Sequence, residues 1–271
     1  MIKDITLGQY FPGNSVIHRL DPRIKIVLVF AYIVAIFLCK NFYAMGIMFI
    51  LLLAVILLSR ISPKLILKSV RPIVIIVIIT SLLQLIYNRT GEVLWEWWKL
   101  KITTGGVNMA LFTTLRIILL VVASSMLTYT TSPTMLTDAI ERLFCPLKVF
   151  KINVHSIAMM MTIALRFIPT LIDEVDKIMS AQKSRGADLE SGNIVQRGKA
   201  LVPIFVPLFI NSFRRAYELA FAMECRCYQG GEGRTRLRVM KCAVRDYISL
   251  IVVAATVAGI ILLNHYFPTV L

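Results

Sequence analysis

Apolar residues along this chain gather in runs of helical length, separated by short polar punctuation. Ile24 to Cys39 is almost wholly apolar apart from Lys25, and Phe42 to Leu58 follows after only Lys40-Asn41. So short a connection predicts a helical hairpin. Asp21-Pro22, just ahead of the first run, suits an N-cap and a first helical position. A third run, Ile73 to Tyr87, is rich in Ile and Val and in a soluble chain would read as a strand. In lipid an isolated strand leaves backbone groups unpaired, so a helix is predicted. A fourth run covers about Val107 to Tyr129, and the last is Tyr247 to Leu263. Five runs near the roughly 20-residue span length make five predicted transmembrane helices, the first marginal until its flanks are included.

Between residues 133 and 245 the pattern changes. Ser132-Pro133 predicts the start of a short amphipathic helix, MLTDAIERL, that stops before Cys145-Pro146. From about Val154 the chain is apolar but broken by Arg166 and Pro169. It then turns amphipathic, with Ile172, Val175 and Met179 recurring beside Asp173, Glu174, Asp176 and Lys177. This run closes on Ser184-Arg185-Gly186, where Gly186 supplies a C-cap. After a polar connector, 187–198, a second helix is predicted from about Lys199 to Cys227, through Pro203 and Pro207. Phe209, Phe213, Ala216, Ala220 and Met223 form its apolar stripe, opposite Arg214, Arg215 and Glu218.

The two long helices look like weak copies of each other. Each has Phe-x-Pro (Phe167 to Pro169, Phe205 to Pro207), an amphipathic run, then an arginine between small residues. Each would reach about 40–45 Å. Val154–Ile172 and Leu201–Ile210 could instead be two further spans. The prolines, Arg166 and the brevity of the second run favour helices lying along the membrane face, their stripes packed together.

Composition sharpens this picture. The 271 residues are 58% hydrophobic and carry 30 Lys+Arg against 15 Asp+Glu, a formal charge of +15. Soluble domains run at about 45–50% apolar. The cations cluster beside apolar runs, which points to the basic loops of a multi-span membrane protein and away from nucleic acid. Lys3, Arg19, Arg23, Lys25, Arg60, Lys64, Lys68, Arg71 and the middle stretch fall on one side of the predicted topology. Only Lys40, Arg89, Lys99 and Lys101 fall on the other. The expected class is therefore an all-α integral membrane protein, N-terminus inside and C-terminus outside. Its expected parts are a four-helix membrane domain (1–131), a cytoplasmic module of long amphipathic helices (132–246) and a last transmembrane helix (247–271). Some 20 polar residues precede the first apolar run, so no signal peptide is expected.

Candidate chemistry is sparse. Five cysteines without a Cys-x-x-Cys read as small buried apolar residues, not disulfides or zinc ligands. His18, His155 and His265 are scattered, and no Asp-Asp-x-x-Asp, His-Glu-x-x-His or Ser/His/Asp set is present. No catalytic residue, metal site or bound cofactor is expected. Trp95, Trp97 and Trp98 in the 88–106 connector suit an interfacial belt. Arg116 lies roughly 15 Å into the fourth span, near the bilayer middle, where a cation costs about 2.5–3.5 kcal/mol and so should face protein. A permease with its own substrate site is the alternative reading, but within the spans only Arg116, Asn108 and a few Thr/Ser could build one. A terminal arginine complements the negative end of a helix dipole and offers planar donors to a partner. Taken alone, it is equally an ordinary cap.

Three stretches add a resemblance. GQYFPGNSVIHRLDPRIK, AQKSRGADLESGN and above all AFAMECRCYQGGEGRTRLR are similar to the transmembrane T component of energy-coupling factor (ECF) transporters. Glu224-x-Arg226-x-Tyr228 ahead of Gly231-x-Gly233-Arg234-Thr235 is the most specific part. Each coupling helix of that family ends in a short arginine motif, typically Ala-Arg-Gly. The matching positions here are Ser184, Arg185, Gly186 and Cys225, Arg226, Cys227. The resemblance implies ATP-driven uptake of a micronutrient, a vitamin or transition-metal ion. Two cytoplasmic ATP-binding-cassette (ABC) subunits would carry ATP and Mg and grip the arginine tips. A membrane-embedded S component would bind the substrate. This chain lacks the Gly-x-x-x-x-Gly-Lys-[Ser/Thr] of the ATPase itself.

Overall fold

The computed structural model describes residues 10–88, 90–97, 100–146, 153–187, 194–230, 240 and 242–266. Helices dominate: α1 (Pro22–Leu38), α2 (Phe42–Ser59), α3 (Pro63–Val70), α4 (Val74–Tyr87), α5 (Thr104–Thr130), α6 (Pro133–Leu143), α7 (Val154–Ser184), α8 (Ile194–Glu224) and α9 (Val244–Tyr266). Two compact units form, one from 8–136 with 239–271 and the other from 137–238. The chain is an all-α membrane protein with one small addition. Among the described residues five helices are long and apolar enough to cross a membrane: Phe42–Ser59, Pro63–Tyr87, Thr104–Thr130, Val154–Ser184 and Val244–Tyr266. Four match predicted spans; the fifth is α7, which the sequence pattern placed along the membrane face. The predicted first span, α1, has only 17 residues.

In the first unit, Asp21 caps α1 as its sequence predicts, accepting the Arg23 N–H at 2.9 Å, with Pro22 at the first helical position. Helix α2 returns antiparallel across a three-residue connection, Cys39 to Asn41, and the Tyr32 hydroxyl donates to the Met48 carbonyl at 3.0 Å. The predicted third span starts nearly three turns early, at Pro63 instead of Ile73. Pro63 opens α3 and a 3-10 turn, Arg71–Ile73, leads into α4. The stretch read as a polar loop is thus largely helical, because Ile and Leu recur between its cations.

The 88–106 connector is no simple loop. Val93–Trp97 and Leu100–Thr103 pair as an antiparallel hairpin, with Trp95 opposite Ile102 and Trp97 opposite Leu100. Trp98 lies outside the described residues, so the interfacial-belt reading goes no further. Buried Thr103 seals the hairpin to both neighbours: its hydroxyl accepts the Gly106 N–H and donates to the Asn88 carbonyl at the end of α4. A side chain at Gly105 would run into the Thr90 backbone.

Helices α1 and α9 run parallel and are fastened by polar groups at both ends. At the start, Asp246 Oδ1 accepts the Asp21 N–H at 2.9 Å and Oδ2 accepts the Ala243 N–H at 2.7 Å. At the far end, Asn264 accepts the Lys40 N–H and donates to the Leu38 carbonyl, while Asn41 donates to the Leu263 carbonyl. Helix α5 runs antiparallel to α1. Buried Lys25 spends its three N–H donors on the carbonyls of His18 and Thr130 and the Thr131 hydroxyl, closing the C-terminal end of α5. A cation there complements the helix dipole. The core holds Tyr32, Ile36, Met45, Met48, Phe112, Met126 and Ile260.

The turn ahead of α1 is held by His18, which bonds Ser15 Oγ at 2.7 Å and the Phe11 carbonyl at 3.0 Å. Burial, assisted by the Lys25 charge and opposed by the Phe11 bond, holds its pKa below the ordinary 6.5. The unfolded segment therefore takes up protons first, so His18's contribution is lost as pH falls through and below 6.5. Amides of residues 11–20 should exchange faster at pH 5 than at pH 7.5 after correction for intrinsic rates; equal protection would contradict this.

Four of the five cysteines depart from expectation. Cys39 is buried, but Cys145, Cys225, Cys227 and Cys242 are exposed, and all five are free thiols. The buried-residue reading holds only for Cys39.

Candidate functional site: two arginine-ended helices

Helices α7 and α8 have 31 residues each, about 45 Å. They pack antiparallel. Gln182 near the end of α7 donates to the Pro203 carbonyl near the start of α8, and the Tyr228 hydroxyl, just past α8, donates to Met159 Sδ near the start of α7. Pro169, Pro203 and Pro207 all lie inside continuous helices.

Between these ends stands one polar clamp. Glu174 accepts Asn211 Nδ2 at 2.6 Å and Arg215 Nη2 at 2.5 Å, so both carboxylate oxygens are taken by residues one turn apart on α8. This corrects the predicted stripe. The face of α8 turned towards α7 carries buried Ile204 and half-buried Leu208, Asn211, Arg215, Leu219 and Met223. Phe205, Phe209, Phe213, Tyr217 and Phe221, spaced four apart, remain exposed. Arg215, placed on the polar face by its charge, belongs to the packed face because Glu174 gives it a partner there. No single-sequence signal pairs those two residues.

Both helices end in the same backbone closure. At the end of α7, Gly186 N–H donates to the Lys183 carbonyl and Ala187 N–H to the Gln182 carbonyl, both at 3.0 Å. At the end of α8, Cys227 N–H donates to the Glu224 carbonyl at 2.8 Å and Tyr228 N–H to the Met223 carbonyl at 3.0 Å. These are the paired bonds of a Schellman motif, which requires a left-handed residue just past the cap. Gly186 fills it with φ +85° and Cys227 with φ +55°. Arg185 and Arg226 therefore hold the same position, the C-cap, in both helices.

All six predicted tip residues, Ser184, Arg185, Gly186, Cys225, Arg226 and Cys227, are exposed. Because the helices are antiparallel, the two arginines stand at opposite ends of the pair. Counting from Met159, beside Tyr228, to Arg185 gives about 40 Å. The Arg226 tip is backed by a cavity of about 350 Å³, walled by Met159, Met223, Cys227 and Tyr228.

Cys227 pays for the left-handed geometry that glycine adopts freely. Replacing it with glycine should tighten the tip by up to about 1 kcal/mol. Slower hydrogen exchange at residues 227 and 228 in Cys227→Gly is the expected reading; faster exchange would contradict the assignment.

Arg116 faces protein, as predicted, and lies apart from these tips in sequence and in unit. Its Nη2 donates to the carbonyl of Cys39, the C-cap of α1, at 3.0 Å, and its guanidinium lies 4.8 Å from the Phe112 ring centre. It closes the C-terminal end of α1 as Lys25 closes α5. Helix α5 has 27 residues against 17 in α1, so the middle of α5 stands level with the end of α1. Asp246, absent from the predicted sites, is the fully buried carboxylate that joins α1 to α9. Its position three residues into a helix was the one visible hint.

Apolar spans fastened at their polar ends, together with a pair of exposed arginine-ended helices, define a multi-pass membrane protein. The profile of the CbiQ family, described as cobalt transport protein, matches residues 13–237. The energy-coupling factor transporter transmembrane protein EcfT of Ruminiclostridium cellulolyticum is 47% identical over 267 residues, covering 98% of this chain and all of that one. The EcfT of Clostridium kluyveri is 52% identical over 250 residues (92% and 93%), and that of Bacillus subtilis 42% over 258 (94% and 97%). The chain belongs to this family, as an EcfT-like transmembrane component of ECF transporters.

Proposed function

We propose that this chain is the mechanical coupler of an ATP-driven vitamin uptake system in the cytoplasmic membrane, with its N-terminus inside and C-terminus outside. Two ABC ATPases, which carry the ATP and Mg, each grip one arginine tip, and the α7–α8 pair passes their closure to the membrane helices and a substrate-binding S component. The chain itself performs no catalysis. One observation carries the reading: Arg185 and Arg226 hold the same capped position at opposite ends of one antiparallel pair. That arrangement suits two copies, or two close relatives, of a single kind of receptor. The parallel course of α1 and α9 supports ends on opposite sides of the membrane. Small residues around each arginine let a tip enter a groove, where guanidinium donors meet acidic or carbonyl acceptors.

The double variant Arg185→Glu with Arg226→Glu puts like charge into both grooves while leaving each helix closure intact. Uptake should fall to background at normal membrane abundance, and the ATPases should no longer co-purify. Full uptake by that variant would overturn the docking role.

A further inference from the structure

We propose that the cleft among α1, α2, α5 and α9 holds one acyl chain of an anionic phospholipid whose phosphate rests on Arg245. The cleft has a volume of about 380 Å³ and a wall that is almost entirely apolar, including Leu28, Leu52, Val55, Met126 and Val252. A cavity so lined excludes water and takes hydrocarbon.

Apart from Tyr32, whose hydroxyl donates to the Met48 carbonyl, its polar wall residues, Lys25, Thr130, Arg245 and Ser249, gather at one end. Lys25 bonds the Thr130 carbonyl, and the Asp21–Asp246 bond sets the first turn of α9, with Arg245, level with the start of α1. The cleft is thus apolar along its length and cationic at one mouth. Lys25 is not the headgroup ligand, since its three donors are spent on the protein. Arg245 is exposed, and its guanidinium has no hydrogen-bond or ion-pair partner among the described residues. Lying in the first turn of a membrane-length helix, it stands at the depth of lipid phosphates.

Size selects the chain over a protein helix. A helix about 10 Å across fills 380 Å³ within roughly 5 Å of its length. An occupant that runs the length of the cleft must be as thin as a hydrocarbon chain.

Native mass spectrometry of the delipidated, detergent-solubilised transporter tests this, with phosphatidylglycerol, phosphatidylcholine and a free fatty acid added in separate samples at equal concentration. Phosphatidylglycerol should be retained about fivefold better than phosphatidylcholine, the preference one surface arginine supplies. Arg245→Gln should erase that preference, and Val252→Trp, which fills the cleft, should lower retention of both lipids. Equal retention of the two phospholipids by the unaltered protein would overturn the proposal. So would a preference that survives Arg245→Gln, or a free acid held as well as phosphatidylglycerol.

Discussion

Asp246→Ala should lower the melting temperature of the detergent-solubilised protein by roughly 5–15 °C. The carboxylate is 1% exposed and accepts two backbone N–H groups, from Asp21 and Ala243, which are the residues preceding α1 and α9. Alanine leaves the buried Asp21 N–H without an acceptor, at about 1–3 kcal/mol, and removes a part-buried bond to the Ala243 N–H, about 0.5–1.5 kcal/mol; each kcal/mol moves the midpoint of a chain this size by about 2–4 °C. Asp246→Asn keeps the shape but turns one oxygen into a donor facing a donor, so it should fall between alanine and the native protein. A native-like midpoint in Asp246→Ala would mean that packing alone joins these helices. The arrangement also explains why α1, at 17 residues, is stable beside longer neighbours: it is closed at its start by Asp21 and Asp246 and at its end by Arg116 and Asn264.

Reversing Glu174 to arginine should separate α7 from α8, and reversing Arg215 to glutamate as well should restore much of the contact. The clamp joins charged partners at 2.5 Å with the glutamate side chain only 16% exposed, so a coupling of about 1–3 kcal/mol is expected from a double-mutant cycle. The arginine is 39% exposed, which argues for the lower part of that range. Hydrogen exchange along α7 and α8 reads it. Additive single effects, with no recovery in the double reversal, would show that apolar packing carries the pair alone. If the helices transmit force, uptake should follow the same pattern, because a pair that slides at this clamp cannot relay motion between its ends.

Features set by neighbours in the chain were legible in the sequence. Asp21-Pro22 announced the start of α1, and Gly186 announced the end of α7, because caps and left-handed residues act over four or five positions. The arginine tips were readable for the same reason. The internal copy was visible but misaligned: Pro169 to Arg185 and Pro207 to Arg226 differ by three residues, while the closures around Arg185 and Arg226 coincide bond for bond. What required the fold was every pairing at a distance. Asp246 finds Asp21 across 225 positions, Arg116 finds Cys39 across 77, and Glu174 finds Arg215 across 41. Charge put Arg215 on the outer face and hydrophobicity put Phe209 and Phe213 inside. Glu174 instead draws Arg215 onto the face that packs, and Phe209 and Phe213 are left exposed. The β-hairpin at Val93–Thr103 was missed because a tryptophan cluster between two spans reads as an interfacial belt, whereas its alternation equally suits a short pair of strands.

Photo-crosslinking residues placed at positions 184 and 225, beside the two arginines, test the central claim most directly in the intact transporter. Each position should yield an adduct with an ATP-binding-cassette subunit, and neither should react with a membrane-impermeant reagent applied from outside the cell. Absence of any such adduct from both positions, or labelling of either tip from outside, would contradict the account.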